Sequence, residues 1–466
     1  MNSNHYSPRP TFSVLGTGYL GATHAICMAS IGFDVIGVDV DVDKIAALSS
    51  GAVPFFEPAL AELLESTLAS GRLRFSSTIA DAAEADIHFL CVGTPQHPRS
   101  HAADLRYVHQ ALDSLAPHLD RKCLVVGKST VPVGTALELT RRLHASAPAG
   151  VDVELAWNPE FLREGFAVQD TLCPDRLVFG VASEWAKHQL FSAFAPVIDE
   201  HDVPVTVTDL ATAELVKVAA NSFLATKISY INAMSEICDL VGADVLALSE
   251  ALGRDARIGS RFLRPGLGFG GGCLPKDIRA FLHRCAELGG RDAVRFLEDV
   301  DAINGRCRSR AVDLVREETD GDLNGVRVAA LGAAFKPDSD DIRDAPALAV
   351  AQELLAAGAR VTVYDPQAMP NVQLRYPDVP LASSVLEAIV DADVVLLLTE
   401  WQEFVRLDPS DLEPLVSRRV VIDTRHALDA ERWRGAGWTY RALGVPANTP
   451  AGAAWSGRGP AVLATQ

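Results

Sequence analysis

The sequence predicts an α/β protein: two Rossmann-like doubly wound domains joined by a long central helix. Three observations predict it. Short apolar runs of strand length alternate with helical stretches from Phe12 to about Phe179, the rhythm of a doubly wound sheet. After a wholly helical interval the same rhythm restarts at Val326. Between the two, an apolar helical pattern runs from about Leu210 to Leu240, with Asp209 in the N-cap position and Gly242 just past its end. A helix of about 30 residues spans about 45 Å, enough to join two domains, and its apolar character suits a dimer interface. The expected boundaries are 1–208 for the first domain, 209–322 for the central helical segment and 323–445 for the second domain. An Ala-, Pro- and Gly-rich tail, 446–466, is expected to be disordered.

With 466 residues, 48% of them hydrophobic, the chain can fill two or three cores. Its net charge of −18, from 42 basic against 60 acidic residues, argues against a nucleic-acid or anionic-membrane surface. An anionic ligand is still accommodated where a few cations converge. Eight cysteines are scattered with no Cys-x-x-Cys pair, which suggests reduced thiols, a cytoplasmic setting and no metal site. Residues 1–10 lack an apolar signal core and no run of about 18 apolar residues follows, so neither secretion nor membrane spanning is expected.

The first strand, Phe12–Leu15, leads into Gly16-Thr-Gly18-Tyr-Leu-Gly21 and an apolar helix. G-x-G-x-x-G in this context allows a tight turn, close approach of backbone to a pyrophosphate, and an anion at the helix N-terminus. The next strand ends in Asp39, about 20 residues on, where a carboxylate accepts ribose hydroxyls and repels a 2′-phosphate; this points to NAD. Later strand ends carry Gly93-Thr94-Pro95 and Lys128-Ser129-Thr130-Val131-Pro132. Their hydroxyls either line a nicotinamide pocket or cap helices. Asn158-Pro-Glu160-Phe-Leu-Arg-Glu164-Gly165 then places two carboxylates four residues apart. If this turn is helical they share a face, for base or water-positioning work; solvated surface acids are the other reading.

On the central helix, Glu214, Lys217 and Asn221 project from one face among apolar neighbours. A lysine there has a depressed pKa, a fixed anion to meet, or a path to solvent along its stem. The chemistry is expected at Gly268-Phe-Gly-Gly-Gly-Gly272-Cys273-Leu-Pro-Lys276-Asp277. Glycines leave the backbone bare, so a ligand or another segment can approach the sulfur, and nearby cations lower a thiol's pKa. A buried thiol in a turn is the alternative, and the adjacent lysine and aspartate weigh against it. Helical sequence continues from Ile278 to Glu318. In the second domain, strand 361–365 ends in Asp365, mirroring Asp39, but the preceding turn has no second G-x-G-x-x-G. It offers Lys336 and Arg343, which suggests a nucleotide or phosphate held by side chains. Strands 394–398 and 420–422 complete that sheet, and Arg425 follows the last of them.

Together these motifs, in this order from about Phe12 to Gly444, resemble the UDP-glucose/GDP-mannose dehydrogenase family, and within it the branch acting on UDP-glucose. The resemblance implies oxidation of a sugar C6 alcohol to a carboxylate with two NAD, through a thiohemiacetal and a thioester on Cys273. It implies that Thr130, Glu160, Lys217, Asn221 and Asp277 handle protons and oxyanions, with Lys217 and Asn221 as oxyanion donors. It assigns NAD to Gly16, Gly18, Tyr19, Leu20, Gly21, Asp39, Lys44, Lys276 and Arg343, and its nicotinamide end to Thr94, Thr130 and Glu164. It assigns the nucleotide sugar to Glu160, Phe161, Leu162, Lys217, Asn221, Phe262, Leu263, Arg264, Gly270, Lys336 and Arg425. Arg257 matches an arginine that family dimers lend to the neighbouring subunit, so a homodimer or higher homo-oligomer is implied.

Three places depart from the family pattern. Residues 96–102 lack a usual glycine, His426 stands where Asn is usual, and Val445 replaces a common arginine. The same chemistry on GDP-mannose stays open; a UDP-N-acetylhexosamine is disfavoured by the Cys273-Leu-Pro-Lys-Asp run. A two-electron hydroxyacid dehydrogenase would need a lysine but no thiol. A silent nucleotide-binding scaffold would have no use for a nucleophile, a lysine, an amide and carboxylates kept together.

Overall fold

The computed structural model describes residues 9–446, so residues 447–466 of the tail expected to be disordered lie outside the described residues. The chain forms two compact units. The first comprises residues up to Thr226 with Gly270–Asp301 and Ala334–Asp344; the second comprises Lys227–Phe269, Ala302–Ala333 and the chain from Ala345.

The first unit is built on eight strands: β1 (Phe12–Leu15), β2 (Val35–Val38), β3 (Leu73–Ser76), β4 (Ile87–Leu90), β5 (Cys123–Gly127), β6 (Val153–Trp157), β7 (Leu177–Gly180) and β8 (Val205–Thr208). Their order is β3-β2-β1-β4-β5-β6-β7-β8. All pairs are parallel except β6 with β7, joined by one antiparallel bridge at Trp157 and Gly180. The inner strands are buried on both faces, which is why they read as unbroken apolar runs. Alternation within β1 sends Phe12 and Val14 into one core and Leu15 into the other, so the sheet is covered on both sides. The edge strand β8, Val-Thr-Val-Thr and partly exposed, was not expected: it carries no apolar run.

The second unit holds β9 (Arg327–Leu331), β10 (Arg360–Tyr364), β11 (Val394–Leu397), β12 (Val420–Asp423) and β13 (Thr439–Ala442), all parallel, in the order β10-β9-β11-β12-β13. Strand β13 corrects the expectation that the sheet closes at 420–422; it is a short edge strand that follows the packed pair Trp433 and Trp438.

The central helix runs Leu210–Val241, and the Asp209 carboxylate accepts the Thr212 N–H at 2.8 Å, as an N-cap should. The helical stretch expected from Ile278 to Glu318 is three helices: Leu274–Glu287, Arg291–Val294 and Phe296–Glu317. Gly289, with φ +78°, ends the first in the left-handed region. Among the described residues no helix is long and apolar enough to cross a membrane.

Candidate active site

Sheet order reverses at β1, between β2 and β4, and the crevice outside such strand ends is where this architecture binds ligands. There Gly16 ends β1, and the helix Tyr19–Ser30 begins with no side chain capping its first N–H groups. A Cβ on Gly21 would stand 1.8 Å from the Gly16 carbonyl oxygen, whereas one on Gly18 would meet nothing within 4 Å. The turn is therefore closed by Gly21 and left open beside Gly18, an arrangement in which a helix N-terminus offers its first N–H groups to an anion. Asp39 accepts the Thr17 N–H at 2.8 Å and Lys44 Nζ at 2.9 Å. Burial would raise its carboxyl, but Lys44 and the N–H groups of Asp41 and Thr17 hold it below the usual value. These residues fit a dinucleotide with free ribose hydroxyls.

The second cluster centres on Cys273. Lys217, buried on the central helix, places Nζ 2.8 Å from Glu160. Burial opposes the charge on both, yet each holds the other ionised: Glu160 is lowered and Lys217 raised. Of the readings open for Lys217, the fixed anion is the one realised. Glu160 also accepts the Leu162 N–H at 2.7 Å, and the Phe161 ring lies 5.5 Å from Lys217 Nζ. One turn along the helix, Asn221 donates to Asp277 at 2.6 Å, and Lys276 approaches the other Asp277 oxygen at 2.6 Å. Glu214, on the same face, has a different job: it accepts the N–H groups of Gly134 and Ala136 at the start of the helix Thr135–Ser146.

The Asn158–Gly165 turn is not helical, which corrects the shared-face reading of its carboxylates. The extended backbone sends Glu160 to Lys217, while Glu164 accepts from Ser339 at 2.9 Å and lies 3.5 Å from Arg343. Burial and the nearby Asp341 push the Glu164 carboxyl up to about 7, against the pull of Arg343. Lys336 donates to the Glu164 carbonyl. Lys336 and Arg343, which follow β9 in sequence, therefore sit in the first unit.

That loop also explains the glycine run. A Cβ on Gly271 would stand 2.9 Å from the Phe335 ring and one on Gly272 2.3 Å from the Arg343 guanidinium carbon. Gly271 N–H donates to the Arg343 carbonyl at 2.9 Å and Gly272 N–H to Asp341 at 3.2 Å. Another segment, Phe335 to Arg343, occupies the space that the bare backbone leaves. The expectation of a thiol lowered by its neighbours is overturned. Cys273 reaches solvent, but protein surrounds it densely; burial pushes its thiol up to about 11, Glu160 and Asp277 add to the rise, and Lys217 and Lys276 only oppose it. Both lysines are already engaged by carboxylates.

Thr94 donates to the Thr130 carbonyl at 2.7 Å, and both line a pocket with Pro95, Val131, Lys276 and Asp277. Residues 96–102, lacking the usual glycine, form a turn bridged between Gln96 and Ala103.

In the second unit, Arg425 is almost wholly enclosed and donates to the carbonyls of Leu398 at 2.7 Å and Gly268 at 3.2 Å. Arg264 donates to the His426 carbonyl at 2.9 Å. His426 has φ +52°, in the left-handed region that Asn, Asp and His all enter more often than other side chains, so the backbone accommodates His in place of Asn. Leu263 is buried in a small core, so its side chain cannot meet a ligand, whereas Phe262, at φ +62°, is exposed. Arg257 is exposed and forked onto Asp255 at 2.6 Å. Asp365 does mirror Asp39 at the end of a strand, but it is buried and accepts from Ala333, Trp401, Gln367 and Ala368, so it serves the fold rather than a ribose.

Comparison with known proteins decides between the readings. The chain matches the NAD binding domain of the UDP-glucose/GDP-mannose dehydrogenase family over residues 11–198, its central domain over 211–306 and its UDP binding domain over 329–430. The chain belongs to this family. It is 39% identical to the UDP-glucose 6-dehydrogenase of Rhizobium meliloti over 436 residues, covering 93% of this chain and 99% of that one. It is 41% identical to the UDP-glucose 6-dehydrogenase AglM of Haloferax volcanii, covering 92% and 99%. The solved structure of a UDP-glucose dehydrogenase from Pyrobaculum islandicum superposes with a TM-score of 0.87 at 37% identity, covering 96% of this chain and all of that one. As in its family, the cofactor is NAD.

Several residues that shape the site were not foreseen. Glu57, Ser339 and Asp341 hold the Glu164 and Arg343 loops, and Asn304 pins the glycine loop by paired bonds to Phe269 at 2.8 and 2.9 Å. Glu57, Ser339 and Asn304 act across long sequence separations, and Asp341, which grips Arg343 from two residues away, meets the glycine loop 69 residues distant; nothing in their own neighbourhoods distinguishes them from surface polar residues.

Proposed function

We propose that this chain oxidises the C6 alcohol of UDP-glucose to the carboxylate of UDP-glucuronate. Each sugar consumes two NAD⁺ and one water and yields two NADH and three protons. The observation that carries the proposal is the cluster of two ammoniums, one amide and two carboxylates around a single solvent-reached thiol.

Bound NAD⁺ supplies the hydride acceptor for both steps. The alcohol gives up its hydroxyl proton and a hydride, leaving an aldehyde. Cys273 sulfur adds to that carbonyl; the resulting alkoxide takes a proton to become a thiohemiacetal, which loses a second hydride and a proton to give the thioester. Water then attacks the thioester carbonyl and the thiolate departs. Lys217 and Asn221 donate to the oxyanions; Glu160, Asp277 and Thr130 position water and move protons. Tyr19, Leu20, Lys44, Lys276 and Arg343 join the dinucleotide turn in holding the cofactor, while Thr94 and Glu164 border its nicotinamide. Phe161, Leu162, Phe262, Arg264, Gly270, Lys336 and Arg425 hold the nucleotide sugar, with Leu263 contributing backbone only. The names of the relatives favour UDP-glucose over GDP-mannose.

The protein works as at least a homodimer. Phe223, Tyr230 and Ile237, spaced seven residues apart on the central helix, are 67%, 50% and 50% exposed, an apolar stripe that suits a second copy. Arg257, exposed but forked onto Asp255, is the residue lent to the neighbour's sugar, exchanging that carboxylate for the ligand. Eight unpaired cysteines support a reducing, cytoplasmic setting.

The test is NADH formed per sugar consumed, with UDP-glucose and GDP-mannose offered separately to wild type and to Cys273→Ser. Two NADH per UDP-glucose, with net turnover lost in the variant, is the expected result. One NADH per sugar, or an indifferent variant, would end the thioester route.

A further inference from the structure

Glu57 lies in the loop between the helices Val42–Ser49 and Leu60–Ala69 and is 6% exposed. Among the described residues no cation forms an ion pair with its carboxylate. Instead one oxygen accepts the Gly165 N–H at 2.7 Å and the Tyr19 hydroxyl, and the other accepts the Ala167 N–H at 2.7 Å. Gly165 N–H also lies 3.2 Å from the Tyr19 oxygen, closing a three-way contact. These partners come from two functional pieces of the unit. Tyr19 opens the helix at the dinucleotide turn, and Gly165 follows Glu164. On its other side Gly165 is clamped by the second loop: a Cβ there would stand 2.7 Å from the Asp338 carbonyl oxygen, and φ is +79°.

A buried carboxylate without a counter-ion is costly unless hydrogen bonds satisfy it, and here three donors do. Burial and Glu57 itself raise the Tyr19 phenol far above its ordinary value, so it stays a donor throughout the working range. Lys336, which donates to the Glu164 carbonyl, feels the same carboxylate. Glu57 thus ties the pyrophosphate end of the cofactor site to the turn that carries both Glu160 and Glu164.

We propose that Glu57 is a positioning residue that couples the dinucleotide turn to the Glu160–Gly165 turn through Tyr19, so that cofactor affinity depends on a carboxylate that itself touches neither cofactor nor sugar. The inference rests on the NAD-dependent reaction above, but its test needs no sugar. A double-mutant cycle of Glu57→Gln and Tyr19→Phe is read as the dissociation constant of NADH, titrated by its fluorescence, alongside thermal unfolding of the cofactor-free protein. Each single variant should weaken NADH about five- to tenfold, and the double variant should be no weaker than the Glu57 single variant. Tyr19→Phe keeps both N–H bonds to Glu57, so it should unfold within a few degrees of wild type. Effects that multiply in the double variant would mean that Tyr19 serves the cofactor without help from Glu57 and would overturn the coupling. Lost thermal stability with unchanged NADH affinity would reduce Glu57 to a helix cap. Failure of wild type to oxidise UDP-glucose would sink the proposed reaction and leave this result standing.

Discussion

Lys217 Nζ lies 2.8 Å from Glu160 Oε1, both side chains nearly inaccessible, at the centre of the cluster around Cys273. Removing one member of a buried pair strands the other charge, which costs about 3–5 kcal/mol. Lys217→Met should therefore both destabilise the protein by about that amount and abolish turnover. Lys217→Met with Glu160→Gln should regain most of the stability and none of the activity. Chemical denaturation of wild type, the single variant and the double variant, with initial rates, checks this. A double variant as unstable as the single one would show that the pair is not coupled.

With the Cys273 thiol pushed up to about 11, about one molecule in a thousand carries thiolate at pH 8 in the cofactor-free enzyme. A fixed positive charge within about 4–6 Å lowers a thiol by about 1–3 units. NAD⁺ brings such a charge, so its binding should shift the thiolate absorbance titration of wild type, minus that of Cys273→Ser, at least one unit toward neutral. NADH, whose ring is neutral, should not. Equal effects from both would mean that the nucleophile is activated by some means other than the cofactor's charge.

Glu164 sets a second pH dependence. Its folded value, about 7, stands above the ordinary 4.5, so its contribution to stability is full below about 4.5 and is lost as pH rises through 7. A cationic ring beside it favours the ionised form and reverses that preference on binding. KM for NAD⁺ should fall as pH rises from 6 to 8, and the NAD⁺-induced rise in Tm should grow over the same window. In Glu164→Gln both dependences should flatten, leaving KM near the wild-type value at pH 6. A variant that keeps the full slope would assign it to another group.

Much of this site was legible in the chain because its parts are local. Gly16, Gly18 and Gly21 announce the dinucleotide turn by spacing, and Lys217 and Asn221 share a helix face by periodicity. Cys273 and Asp277 lie within one turn. The rest depends on what folding brings from afar. The fate of Glu164 is decided by Ser339 and Arg343, more than 170 residues on. The thiol's elevation comes from burial, which no motif encodes. The edge strands β8 and β13 were missed because half-exposed strands carry little apolar signal.

Gly272 and Gly305 give the sharpest contrast that the packing predicts. An added Cβ at Gly272 would stand 2.3 Å from the Arg343 guanidinium carbon, which also bonds Asp341 in a fork and cannot retreat freely. Gly305, inside the helix Phe296–Glu317, would place its Cβ within 4 Å of nothing. Gly272→Ala should displace Arg343 from its seat over the Cys273 loop and lower kcat/KM at least tenfold, with KM for NAD⁺ rising. Gly305→Ala should leave kinetics alone and stabilise the fold by about 0.5–1 kcal/mol, since alanine gives up less backbone entropy in a helix. Steady-state kinetics and denaturant midpoints on the two variants decide the matter. Wild-type rates in Gly272→Ala would show that Arg343 is free to move aside and that its position over the glycine is not needed for the chemistry.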